Sequence, residues 1–266
     1  MSTDGFILVS KRRRAKVKGS SVAVDEPVLF QTSVEDTIAR ILKAKEKLQC
    51  SCGFTDFEET LQKVEYHLEI QVENNYLVSS IVCYGLGLPS CSWIACYQTG
   101  LLIILRDYFK VQVEVYDPAF TEVDVEVLKK LCFTVIENNE EGKRKIKIPT
   151  IFYMPHCGKG LYNNLLWTNW NYECLSKCVI IGNSFSTINE NFPGRILRKY
   201  YKFILLSTEF FHEYPVKALV KEDNIFNDIS IHVVKNNLKK TELTPDFWSV
   251  ESELEYESDA EFIRVK

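Results

Sequence analysis

Residues 76–118 read YLVSSIVCYGLGLPSCSWIACYQTGLLIILRDYFKVQVEVYDP, and the order of residue types in this stretch decides the fold class. An apolar, β-branched run (Leu77, Val78, Ile81, Val82) stops at Gly85-Leu86-Gly87. Two glycines there permit a tight turn and a close approach of backbone to a ligand, so a strand ends at this point. Ser90 or Ser92 then caps a helix carrying Ile94, Ala95, Tyr97, Gln98, Leu101, Leu102 and Leu105 on one wide apolar face. Val111 to Tyr116 reads as a second strand with Asp117 at its carboxyl end.

Strand, glycine turn, helix, strand and terminal carboxylate make one βαβ unit of the doubly wound type. The expected fold is therefore α/β: a Rossmann-like three-layer sandwich, with a mostly parallel sheet and helices on both faces. In such a unit the turn and helix N-terminus receive an anionic group, and the acid accepts from ribose hydroxyls. Gly85, Gly87 and Asp117 are thus candidate cofactor-binding residues. The dinucleotide fingerprint is incomplete, because position 90 is serine. Asp117 also stands about 27 positions beyond Ser90, against about 20 in a dinucleotide fold.

At 266 residues and 46% hydrophobic composition, the chain fits one α/β domain with tails better than two full domains. Nine cysteines and no signal-peptide pattern suggest a reducing compartment with mostly buried thiols. Cys50 and Cys52 have no second Cys/His pair at finger spacing, so no metal site is expected. The longest apolar run, Gly100 to Leu105, is far too short to span a bilayer. Net charge is only -4 but uneven: Lys11, Arg12, Arg13, Arg14, Lys16 and Lys18 are basic, while Glu251, Glu253, Glu255, Glu257, Asp259 and Glu261 are acidic. Both ends read as solvated tails, the first a candidate nuclear localisation signal. A sequence pI of about 5.7 argues against nucleic acid as a partner.

Four segments are expected: a basic tail over 1–27, helices packing on the domain over 28–75, the α/β domain over 76–235, and an acidic tail over 236–266. Ser33 with Asp36 and Thr55 with Glu58 both have capping-box spacing ahead of helical apolar patterns. His67 reads as a surface or satisfied core histidine. Thr121 with Asp124 predicts a third capped helix, and Phe133 to Ile136 a strand. Asn138 to Lys147 reads as a solvated loop. Thr150 to Met154 is a strand whose carboxyl end carries His156, a candidate general acid or base, with Cys157 beside it as the weaker reading of a nucleophile. The strand Lys177 to Ile181 ends near Asn183, which could orient a substrate. A helix over Ile196 to Tyr201, a strand over Phe203 to Leu206 and a strand over Ile229 to Val234 complete the expected domain, with His232 facing water.

Several segments in fixed order (VCYGLG, SCSWIACYQ, VEVYDPAFTEVD, NEEGKRK, TIFYMPHCGKGLYNNLLWTNW, VIIGNSF, FNDISIH) resemble the Sensitivity to Red Light Reduced family, the SRR-like proteins. Gly85, Gly87, Asp117, His156, Asn163, Asn183 and Asp228 stand at its motif positions. The resemblance implies a single Rossmann-like domain in a cytoplasmic and nuclear protein, and a regulatory role in circadian clock input or light signalling that works through protein partners. It assigns no catalytic residues. The alternative is an enzyme or sensor that binds a small nucleotide-containing ligand, S-adenosylmethionine first and NAD(P) second. Haem held by His156 or His232 with Cys157 is a third, chemically permitted idea.

Overall fold

The computed structural model describes residues 32–71, 78–216, 219, 225–235, 244–250 and 254–256. The basic segment 1–27 and Leu77 lie outside the described residues. Among the described residues, seven strands, β1 (Ser80–Tyr84), β2 (Gln112–Tyr116), β3 (Thr134–Val135), β4 (Thr150–Met154), β5 (Cys178–Asn183), β6 (Phe211–Pro215) and β7 (Ile229–Val234), form one sheet in the order β3-β2-β1-β4-β5-β7-β6. The pairs from β3 across to β5 are parallel, with Ile81 level with both Val113 and Ile151. Only β7 runs against its neighbours, β5 and β6. The strand order turns back between β1 and β4, which is where open α/β sheets form their crevice.

The inner strands are apolar at consecutive positions because helices cover both faces. In β1, Ile81 and Cys83 join one core while Val82 and Tyr84 join the other. The first core is closed by α1 (Val34–Gln49), α2 (Phe54–Gln71), α3 (Trp93–Phe109) and α4 (Glu122–Lys130), through Ile41, Leu61, Leu102 and Leu128 among others. The second is closed by α5 (Lys159–Thr168), α6 (Tyr172–Leu175), α7 (Phe185–Asn191), α8 (Gly194–Tyr200) and α9 (Lys202–Phe210), through Leu165, Leu175, Phe185, Leu197 and Ile204. This is the three-layer, Rossmann-like sandwich expected from the βαβ stretch. Each fully buried Leu or Ile contributes about 1.5–3 kcal/mol relative to exposure, so the two cores dominate the stability.

Side-chain caps fix several helix starts, three of them in the first half of the chain. Ser33 Oγ accepts from the Asp36 amide at 3.1 Å, and Ser92 Oγ, rather than Ser90, accepts from Ala95 at 3.3 Å. Thr121 and Asp124 form a complete capping box. The fully buried Asp124 also accepts from the Ser90 amide at 2.8 Å, which ties α4 to the loop ahead of α3.

Several expectations are corrected. Thr55 does not cap a helix, since α2 already starts at Phe54 and the Phe57 amide bonds Gly53 O at 3.1 Å. The apolar run Phe203 to Leu206 lies within α9, not a strand: Phe203 and Ile204 pack into the second core, and runs this short fit either periodicity. The segment Asn138–Lys147 is pinned rather than solvated, because Arg144 bonds both Glu140 and Glu114, and Glu140 in turn accepts from Tyr84. His67 is a satisfied core histidine, with Nε2 2.7 Å from the Tyr214 hydroxyl. His232 does not face water but is 1% exposed.

Candidate functional site

The site is built from the carboxyl ends of β1, β2, β4 and β5. Gly85 and Gly87 both hold positive φ, +68° and +77°, which glycine alone adopts without strain. The Gly87 amide donates to Asp117 Oδ2 at 2.8 Å, and the Ala119 amide donates to Asp117 Oδ1 at 2.9 Å. The acid thus clamps the glycine turn to the end of β2. Two further lone-pair directions remain on this half-buried carboxylate.

The space that Gly85 opens is filled from within. A Cβ at this position would lie 2.7 Å from Cys157 Sγ, and that thiol donates to Tyr84 O at 3.2 Å. Burial pushes the Cys157 thiol well above the ordinary cysteine range, and the negative charge of Asp117 adds to the shift. Buried and bonded to a carbonyl, the neutral Cys157 thiol packs against the glycine turn.

His156 and Asn183 are brought together. His156 adopts a left-handed backbone, φ 56°, and its Nε2 lies 2.6 Å from Ile225 O, so that nitrogen carries a proton and donates. Asn183 is the last residue of β5. Its Nδ2 donates to Cys157 O at 3.0 Å, which turns Oδ1 away, and that buried oxygen has no hydrogen-bond partner. Both residues line a cavity of about 310 Å³, together with Ser184, Thr187, Ile188, Asn191, Phe192, Asn227 and Asp228. The glycine turn and Asp117 are not part of its wall. The five candidate residues therefore divide into a clamped turn and a neighbouring cavity along the same sheet edge.

Asp228, which the sequence marks as a family motif position, also lines this cavity. It too is left-handed, φ 56°, and its carbonyl accepts from the Ser184 amide at 2.6 Å. Two non-glycine residues in this strained region on one cavity rim mark a site whose surroundings over-determine the backbone. Asn163 is different: its Oδ1 accepts from the Phe203 amide at 3.0 Å within the second core, a structural tie.

His232 lies behind the cavity wall, with Nε2 3.1 Å from Asn183 O and its ring stacked on Phe185 at 4.0 Å. Burial lowers its pKa to about 4, although Glu213 and the Asn183 bond work in the other direction. A neutral histidine enclosed in this way positions Asn183. No group of His, Cys, Asp and Glu suited to a metal ion occurs among the described residues, and none of their helices is long and apolar enough to cross a membrane.

The fold and site define a Rossmann-like α/β protein with an acid-clamped glycine turn beside a polar cavity. The chain belongs to the SRR1 family: the SRR1 domain model matches residues 57–233. It is 35% identical to the SRR1-like protein of Mus musculus over 226 residues, covering 74% of this chain and 91% of the mouse protein. Identity to the Drosophila melanogaster SRR1-like protein is 30%, over 64% of this chain and 60% of that protein. Identity to the Arabidopsis thaliana protein Sensitivity to Red Light Reduced 1 is 32%, over 54% of each chain. Among solved structures, the 23S rRNA methyltransferase ErmE aligns at a TM-score of 0.33 with 12% identity, covering 64% of this chain and 67% of that one. The mitomycin 7-O-methyltransferase MmcR aligns at a TM-score of 0.33 with 14% identity, covering 76% and 60%. At that level these two likenesses carry no chemistry.

Proposed function

We propose that this SRR1-family chain is a regulatory protein of a clock-input or light-related signalling pathway, acting in cytoplasm and nucleus by binding partners through its Rossmann-like domain rather than by turnover. The observation that carries this reading is the closed glycine turn. Cys157 fills the approach that Gly85 offers, and Asp117 is engaged by two backbone amides. A fold of this kind does not itself confer an activity. The pathway is suggested by the name of the Arabidopsis relative.

A second reading, an enzyme or sensor using S-adenosylmethionine or NAD(P), draws on the remaining acceptor capacity of Asp117. It also draws on the adjacent cavity, which Asn183, His156 and Asp228 line and where no Lys or Arg of the described residues stands. His156 would then exchange the proton and Asn183 would orient the substrate.

Native mass spectrometry of the purified chain separates the two readings, joined to thermal shifts with S-adenosylmethionine, NAD and ATP. An empty protein that none of the three stabilises, yet which retains specific protein partners in a pull-down, is the expected result. A retained adenosine-bearing molecule, lost in Asp117→Ala, overturns it in favour of the second reading. Because Asp117 also holds the turn, each ligand shift is to be referred to the variant's own baseline.

A further inference from the structure

The acidic C-terminal segment contains a turn, Pro245–Trp248, whose rings close over the second core. Trp170 Nε1 donates to Phe247 O at 2.6 Å, and the Trp170 ring lies 5.2 Å from Phe247 and 5.8 Å from Trp248. Trp248 also meets Phe210 edge-on at 5.4 Å, and Trp170 packs on Phe203 at 5.0 Å. Further on, Leu254 packs on the same core, Glu255 lies 3.4 Å from Lys199 Nζ, and the Tyr256 hydroxyl donates to Asn164 Oδ1 at 3.2 Å. Trp170 is only 3% exposed with this segment in place.

We propose that the face formed by Trp170, Phe203 and Phe210, flanked by Lys199, is a docking site for an acidic peptide with adjacent aromatic residues, and that residues 244–250, with Glu255 on Lys199, occupy it in cis until a partner segment of that chemistry displaces them. Three observations carry this. The site is seen filled, so an occupant is on view: the Phe247-Trp248 pair, with Glu255 further on at Lys199. The occupant is held by rings, one indole bond, the Glu255–Lys199 ion pair and a part-buried bond from Tyr256 to Asn164, and among the described residues it pairs with no strand of the sheet, as expected of an element that opens below the global unfolding cost. Charge is complementary, since Lys199 of α8 pairs with Glu255, and α8 carries two further exposed cations, Arg195 and Arg198. Buried tryptophan in an aromatic pocket is also the usual anchor of a peptide interface. A tethered segment acts at an effective concentration on the order of millimolar, so a partner must bind more tightly than the same peptide would alone.

The test uses the full chain and a labelled peptide of residues 244–256. Wild type is expected to bind it at least tenfold more weakly than Phe247→Ala/Trp248→Ala, in which the tethered competitor is disabled, and adding Trp170→Ala to that variant should abolish binding. No binding to the double variant overturns the proposal. Hydrogen exchange on the wild type gives an answer that needs no variant. Amides of 246–249 exchanging faster than those of β4 and β5 support it, and exchange only at the rate of the central strands overturns it, as does a double variant that fails to fold.

Discussion

Asp117 and Gly87 are joined by a 2.8 Å hydrogen bond from the glycine amide to Oδ2, so the acid at the end of β2 holds the turn at the end of β1. The second oxygen takes the Ala119 amide. Asp117→Asn leaves one amide facing an NH2 group in place of an acceptor. A charge-assisted bond of this kind is worth about 1–3 kcal/mol, so the urea midpoint should fall with the m-value unchanged. An unaltered midpoint would show that the clamp is not needed for the fold.

Gly85→Ala meets two penalties of different origin. The left-handed backbone costs about 1–2 kcal/mol for a residue bearing a Cβ, and the new methyl meets Cys157 Sγ. Cys157→Ala in the same chain removes the second penalty alone. The double variant should therefore be more stable than the sum of the singles implies, by about 0.5–3 kcal/mol of coupling. Strict additivity in thermal unfolding would rule out the contact.

His232 sets a pH dependence. Its native pKa of about 4 lies below the ordinary value of 6.5, so the unfolded chain binds this proton more readily than the folded one. Stability present above pH 6.5 is then lost as pH falls toward 4, by an amount on the order of 3 kcal/mol. His232→Gln keeps a donor for Asn183 O and has no titration, so its stability difference between pH 7 and pH 5 should be smaller than that of wild type. Parallel curves for the two proteins would refute the assignment.

Lys110 closes α3 with φ 55° and ψ 44°, the left-handed conformation that favours glycine. Lys110→Gly should be neutral to stabilising, by up to about 1 kcal/mol, where glycine at most helix-flanking positions would destabilise. A fall in melting temperature would contradict this.

The central unit was legible because its signals are local and agree: a β-branched run, two glycines, a serine cap and a helical stripe. β1, α3, β2 and the position of Asp117 follow from them. The other half was harder to read. Phe203 to Leu206 is apolar without a break, and only packing against the second core makes it helical. β6 escaped notice because Phe211–Pro215 ends in proline and mixes His and Glu, as an edge strand does. The clustering of His156, Asn183 and Asp228 depends on which strands are neighbours, and spacing along the chain carries no trace of it. The plugging of Gly85 by Cys157 is likewise a contact between β1 and β4 ends, visible only in three dimensions.

The insertion of β7 between β5 and β6 has a bearing on how the chain is made. On a ribosome the parallel strands β1 to β5 emerge first, and the outer edge of β5, with Ile180 and Ile181, stays open until residue 234 has left the exit tunnel. An open apolar edge is a template for pairing with other chains. The nascent protein is thus most exposed to aggregation in the interval before its last strand arrives, and a lesion in β7 would strike yield more severely than its depth in the core alone would suggest.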